Sequence, residues 1–224
     1  MTKQEEAAGA DMTSVADPDS DNTDGSDGAR ATVRLPAATR RLQLLGVARQ
    51  EFGRTGFHQT TMSDLAARAG VTKPVLYQHF ASKRDLYTAV LADAGQRLEA
   101  ALADAVDEGA TPRDQVDLGF EAYVRFVQTD RDGFRLLFSS TSRQDKEWAA
   151  IGNRVQEAVA GAIAQRIDVE GMSDSHRMVL AHGIIGLAEG MMRYWHSGAA
   201  EGIDFDDLLA DLQTLAWGGV QGLD

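Results

Sequence analysis

Cysteine is absent from the 224 residues, which excludes a disulfide framework, a thiol nucleophile and a cysteine-based zinc site. No apolar run approaches the ~20 residues that a membrane-spanning helix needs. The N-terminus lacks the basic-then-apolar layout of a secretory signal, so a cytoplasmic location is expected. No stretch alternates apolar and polar residues in the manner of a half-buried strand. Nucleophile elbows, phosphate-cradling glycine loops and dinucleotide fingerprints are also missing. Gly183, Gly186 and Gly190 lie inside a helical pattern with no strand before them, and Ser139, Ser140, Thr141 and Ser142 read as a polar loop. Neither an enzyme nor a cofactor is expected. His182, Glu189 and His196 recur every seven residues, but seven residues rise ~10.5 Å along a helix, too far for neighbours to share one ion. No metal site is expected.

Basic residues are also scarce. Lys and Arg number 22 against 34 Asp and Glu, a net charge of −12. Their distribution matters more than the total. Residues 1–29 carry −7, residues 30–90 carry +7 and residues 91–224 carry −12. A basic module beside an acidic body suits a protein that meets phosphates at one end only. Residues 1–30 are rich in Asp, Ser, Gly and Thr with almost no large apolar residue, the composition of a disordered acidic tail.

Thr60 to Lys83 is the most informative stretch. Thr61 and Asp64 have capping-box spacing, and Leu65, Ala66 and Ala69 give the helix that follows one apolar face. Gly70 stands where a helix ends in a tight turn. Thr72 can cap a second helix, with Pro74 tolerated in its first turn. Val75, Leu76 and Phe80 then recur at helical spacing. This is a helix-turn-helix pattern. Upstream, Arg34 to Gly56 reads as a supporting helix ended by Gly53 and Gly56, with Arg40, Arg41 and Arg49 on a solvated face. Phe52, Phe57 and Leu65 are expected in a small core.

The run Gly56-Phe57-His58 through Thr60-Thr61-Met62, Asp64-Leu65-Ala66, Ala69-Gly70-Val71-Thr72-Lys73, Leu76-Tyr77, His79-Phe80 and Ser82-Lys83 resembles the DNA-binding signature of the TetR family of transcription regulators. The resemblance covers nearly all of that family's N-terminal module, and Leu76-Tyr77-x-His79-Phe80-x-Ser82-Lys83 is its most specific portion. It implies that Thr72, Lys73 and Val75 meet base edges or flanking phosphates in the major groove. Tyr77, His79 and Lys83 then match the family's phosphate contacts, with Thr61 adding one from the preceding helix. Pro74 departs from the pattern, which often has Gly there, and bears on how closely the recognition helix approaches DNA. The resemblance further implies a homodimer on a palindromic operator of double-stranded DNA, the two recognition helices standing one turn (~34 Å) apart.

The remainder reads as all-helical. Lys83 to Val106 forms a long helix, which in the family joins the DNA module to the body. Helical patterns follow over Asp114–Thr129, Asp132–Ser139, Lys146–Ile167, Ser173–Ser197 and Asp204–Trp217. The expected organisation is a tail over 1–30, a three-helix DNA-binding domain over 31–84 and a helical ligand-binding and dimerisation domain over 85–224, with 85–107 connecting. Aromatic and Met side chains concentrate in this body, and Phe120, Tyr123, Phe134, Trp148, Met178, His182, Met191 and Trp195 are candidates for a pocket suited to a small apolar or aromatic effector. The Gly- and Ala-rich 183–190 segment and the leucines of the last helix suit close pairing between two copies. The expected function is an effector-responsive regulator, a repressor released by its ligand. The alternative is a regulator without an effector, whose body only dimerises.

Overall fold

Short polar side chains fix where most helices begin. The computed structural model describes residues 36–221 apart from Ala110 and Asp168; the tail expected over 1–30 lies outside them. Ten helices are described: α1 (Ala37–Gln59), α2 (Met62–Arg68), α3 (Lys73–His79), α4 (Lys83–Asp107), α5 (Pro112–Thr129), α6 (Arg131–Leu137), α7 (Ser140–Gln144), α8 (Lys146–Ala164), α9 (Asp174–His196) and α10 (Phe205–Gln221). No strand occurs among the described residues. Thr61 with Asp64, and Thr111 with Asp114, form reciprocal capping boxes. Asp130, Ser139, Asp145 and Ser173 accept first-turn amides at the starts of α6, α7, α8 and α9. Each such cap stabilises its helix by about 1 kcal/mol. Ser139 therefore opens a short helix where the sequence suggested a polar loop.

Of the two glycines expected to end α1, one does not. Gly53 does not end the helix; it is buried within it, and a Cβ there would lie 2.4 Å from Asp132 Oδ1. It is the point where α6 approaches the α1 backbone. Gly56 does break the helical path, at φ 79°, a conformation that residues with a Cβ rarely adopt. Helical turns then resume to Gln59.

The apolar core runs without interruption from the helix-turn-helix into the body. Leu44 and Phe52 of α1, Leu65 of α2 and Leu76 of α3 belong to one buried cluster with Tyr87 and Leu91 of α4, Leu137 of α6 and Trp148 of α8. A second cluster joins Leu98 of α4 to Val124 of α5, Val155 of α8, Met192 of α9 and Leu212 of α10. The described residues make one compact unit, and α4 contributes to both cores.

Candidate nucleic-acid interface and the cavity behind it

The α2–α3 turn is set by Gly70 at φ 65°, where the amides of Gly70 and Val71 donate to Ala67 and Ala66 carbonyls at 3.1 and 3.0 Å. Leu76 and Phe80 are almost fully buried and anchor α3; the Arg41 guanidinium lies 4.5 Å from the Phe80 ring centre. The opposite side is left to solvent. Thr72, Lys73, Pro74 and Tyr77 are exposed, while Val75 and His79 are half-buried. Thr72 occupies the N-cap position, but its hydroxyl makes no cap hydrogen bond. Lys73 and Tyr77, four residues apart, share a helix face. Thr61 is exposed at the start of α2, its hydroxyl engaged with Asp64.

Behind this surface, the start of α4 is tied to its surroundings. The Lys83 ammonium donates to the carbonyls of Phe57 at 2.8 Å and Thr60 at 2.9 Å, and sits 4.4 Å from the Phe57 ring centre. Arg84 forms a bidentate pair with Asp145 at 2.7 and 2.9 Å and reaches Glu147 at 2.7 Å. These hydrogen bonds, that from Arg84 foremost, hold the Asp145 carboxyl below its ordinary range. The Trp148 indole N–H donates to Thr88 at 2.8 Å, and its ring packs against Tyr87 and Phe57. One turn further along α4 and beyond lies an ionic cluster. Buried Asp130, between α5 and α6, pairs with Arg49 of α1 at 3.1 Å and Arg97 of α4 at 2.6 Å, and Arg97 also pairs with Asp93 at 3.0 Å.

A cavity of ≈ 440 Å³, open to solvent on one side, lies between α4, α5, α8 and α9 of the body. Leu98, Leu102, Phe120, Val159 and Ile185 make most of it apolar. Its polar features are few. Gln156 donates to Glu189 at 2.6 Å, and Arg166 donates to Gln115 at 2.8 Å. Tyr123 presents a buried hydroxyl with no hydrogen-bond partner. Burial, reinforced by the nearby Glu189 carboxylate, raises the Tyr123 pKa well above the ordinary phenol range, so the hydroxyl stays protonated and able to donate.

Residues 44–90 match the family model described as bacterial regulatory proteins, tetR family. The chain is 34% identical over 194 residues to the HTH-type transcriptional activator FasR of Mycolicibacterium smegmatis, covering 86% of this chain and 88% of that one. The chain belongs to the TetR family. The HTH-type transcriptional repressor KstR2 of Mycobacterium tuberculosis is 36% identical over 90 residues, 40% of this chain and 45% of that one. A TetR-like transcriptional regulator from Rhodococcus sp. RHA1, of known crystal structure, superposes with a TM-score of 0.68 at 31% identity, covering 84% of this chain and all of that one. This TetR-family chain is a DNA-binding transcription regulator rather than an enzyme.

Set against this TetR fold, the candidates divide. Thr61, Thr72, Lys73, Pro74 and Tyr77 share exposure on the α2–α3 module, with Val75 and His79 half-covered beside them. Lys83 lies behind them, its ammonium closing the α1–α2 turn through main-chain carbonyls. Arg49 is likewise not on a solvated face, because Asp130 draws it into the ionic cluster.

Of the eight pocket candidates, Phe120 and Tyr123 line the cavity. The other six do not. Phe134 faces a neighbouring cleft and packs on Tyr123 and Phe138. Trp148 is buried at the junction with α1 and α4, where its indole N–H finds Thr88. Met178 packs on the small cluster around Ala160 and Ala181. His182 is exposed, 3.5 Å from Glu157. Met191 and Trp195 pack on the second core, and the Trp195 indole donates to the Ile203 carbonyl at 2.9 Å. Helical spacing identifies an apolar face but not which neighbour it meets, so these six were indistinguishable from the two that line the cavity. Gln156 and Glu189 carry no distinguishing signal in the sequence. Asp130 has only the signature of a helix cap.

Proposed function

We propose that this protein binds a palindromic operator as a homodimer, and that a small apolar effector in the α4–α5–α8–α9 cavity changes its affinity for that operator. The observation that carries this reading is the placement of α4. Leu98 and Leu102 form a wall of the cavity, while Tyr87 and Val90 of the same helix belong to the core that supports α3. A rigid helix that packs at both ends transmits a displacement from one to the other. The effector acts by favouring one of two α4 placements, and the shift cannot exceed its differential affinity for them.

The homodimer is supported by a stripe on α9. Val179 and Tyr194 are 67% and 61% exposed. Between them Gly183, Gly186 and Gly190 have no side chain or backbone within reach of an added Cβ. These positions recur at i, i+4, i+7, i+11 and i+15, one continuous face. A second copy laid against it gives the close helix approach that glycine permits. Repression with release by the effector is the proposed outcome. A second reading, activation, is favoured by the name of the FasR relative, whose similarity spans most of both chains.

Operator selection from random and genomic DNA, followed by a reporter under the recovered site, tests all of this. A palindrome whose occupancy falls when an apolar ligand fills the cavity supports the reading. If ligands that demonstrably occupy the cavity leave operator affinity unchanged, the body only dimerises. Reporter output rising or falling on gene deletion separates repression from activation.

A further inference from the structure

The lining of the α4–α5–α8–α9 cavity is mostly apolar, but its polar side chains differ in how far the protein itself satisfies them. Arg166 is held by the protein, donating to Gln115 and to the Ala162 carbonyl. Tyr123 and Glu189 keep unused capacity. The Tyr123 hydroxyl is buried and makes no hydrogen bond. Leaving a buried donor unpaired is destabilising, so an acceptor brought to it gains by that amount. Glu189 lines the same cavity. Gln156 donates to one of its oxygens at 2.6 Å, and a carboxylate accepts at both. The two groups are near enough for the Glu189 charge to act on the Tyr123 hydroxyl, as does that of Arg193, an exposed residue of the neighbouring cleft.

The chemistry of this pair narrows what can meet it. The carboxylates of the lining are Glu99, Asp107 and Glu189, against the single guanidinium of Arg166, so an anionic head group meets like charge. An ammonium suits Glu189 but has no lone pair for the Tyr123 hydroxyl. An ether or ketone oxygen accepts from Tyr123 and brings no donor to Glu189. A hydroxyl does both, accepting from one and donating to the other, and is far easier to take out of water than a charge. We propose that the cavity selects an uncharged apolar alcohol, its hydroxyl held between Tyr123 and Glu189 and its hydrocarbon part against Leu98, Leu102 and Val159. The inference rests on the cavity being the effector site and adds the head group that it takes.

Titration calorimetry on the full chain without DNA tests it, using octanol, octyl methyl ether and octanoate. Octanol is expected to bind the wild type about threefold or more tighter than the ether, and octanoate to bind most weakly. Tyr123→Phe removes only the unpartnered hydroxyl. Its melting midpoint is expected to match or exceed that of the wild type, while octanol and the ether both bind about three- to tenfold more weakly. Glu189→Leu is expected to bring octanol down to the level of the ether, to leave the ether unchanged and to strengthen octanoate. Ala162→Phe, which fills the cavity, is expected to weaken all three and so locates them there. Octanol bound alike by wild type and Tyr123→Phe, or an order led by the ether or octanoate, overturns the proposal and leaves the cavity as an apolar effector site. A clearly lowered midpoint in Tyr123→Phe also overturns it, because the hydroxyl would already have a partner. If none of the three compounds binds, or Ala162→Phe changes nothing, the effector reading falls with it.

Discussion

Lys83 and Tyr77 lie six residues apart in the signature, yet the structure separates what their removal does. Lys83→Met strips the donors from the Phe57 and Thr60 carbonyls and is expected to destabilise the fold by about 1–2 kcal/mol, seen as a lowered midpoint in urea. Tyr77 is half-exposed and Leu76 beside it carries the packing. Tyr77→Ala is thus expected to leave the midpoint unchanged while weakening operator binding on all sequences alike. If Lys83→Met kept full stability and lost only DNA affinity, Lys83 would act as a phosphate contact rather than a tie of the turn. Glu51 provides a pH-dependent counterpart. Its buried carboxylate is held below the ordinary value of 4.5 chiefly by the Arg54 hydrogen bond, against desolvation, with Arg68 assisting. A lowered folded pKa means stability that is present above the unfolded value and lost as pH falls through the folded one. Denaturation midpoints should fall on acidification below about pH 4.5, and Glu51→Gln should flatten that fall.

For the elements, glycine has opposite meanings at two positions. In an exposed helix interior, Ala is better than Gly by about 1 kcal/mol. Gly53→Ala is nevertheless expected to destabilise, because the added Cβ meets Asp132 and α6 must move from α1. Thermal denaturation of that variant checks the claim. Gly186 has open space in the protomer. Gly186→Leu is therefore expected to fold, while lowering dimer affinity in sedimentation experiments by holding two α9 helices apart. A variant that dimerises normally would place the interface elsewhere.

Across the whole molecule, the ionic cluster joins the three parts that the proposed effector would couple. Arg49 comes from the DNA module, Arg97 from the shared helix and Asp130 from the body. Breaking a buried pair from one side leaves an uncompensated charge and is strongly destabilising, so Asp130→Ala is a poor probe. Arg97→Met leaves the Arg49–Asp130 pair intact. Ligand affinity is expected to persist in this variant, while the ligand-induced change in operator affinity shrinks. Unaltered coupling would show that the signal travels through the apolar contacts of α4 alone.

Local rules were legible from the residues themselves. The Thr61 capping box, the Gly70 turn and the burial of Leu76 and Phe80 depend on residues within a few positions of one another, and the all-helical character on periodicity within each segment. Those short-range determinants sufficed to recognise the TetR module and to anticipate that Leu76 and Phe80 turn inward, but not that Val75 and His79 are half-covered. Contacts between segments distant in the chain were settled only by tertiary structure. Trp148 had the same apolar spacing as a cavity residue, but α8 turns it toward Thr88, sixty positions earlier. Arg49 looked solvated until Asp130 was folded against it. Periodicity reports which face of a helix is covered; the partner that covers it is chosen by packing complementarity and charge, which act across space rather than along the chain.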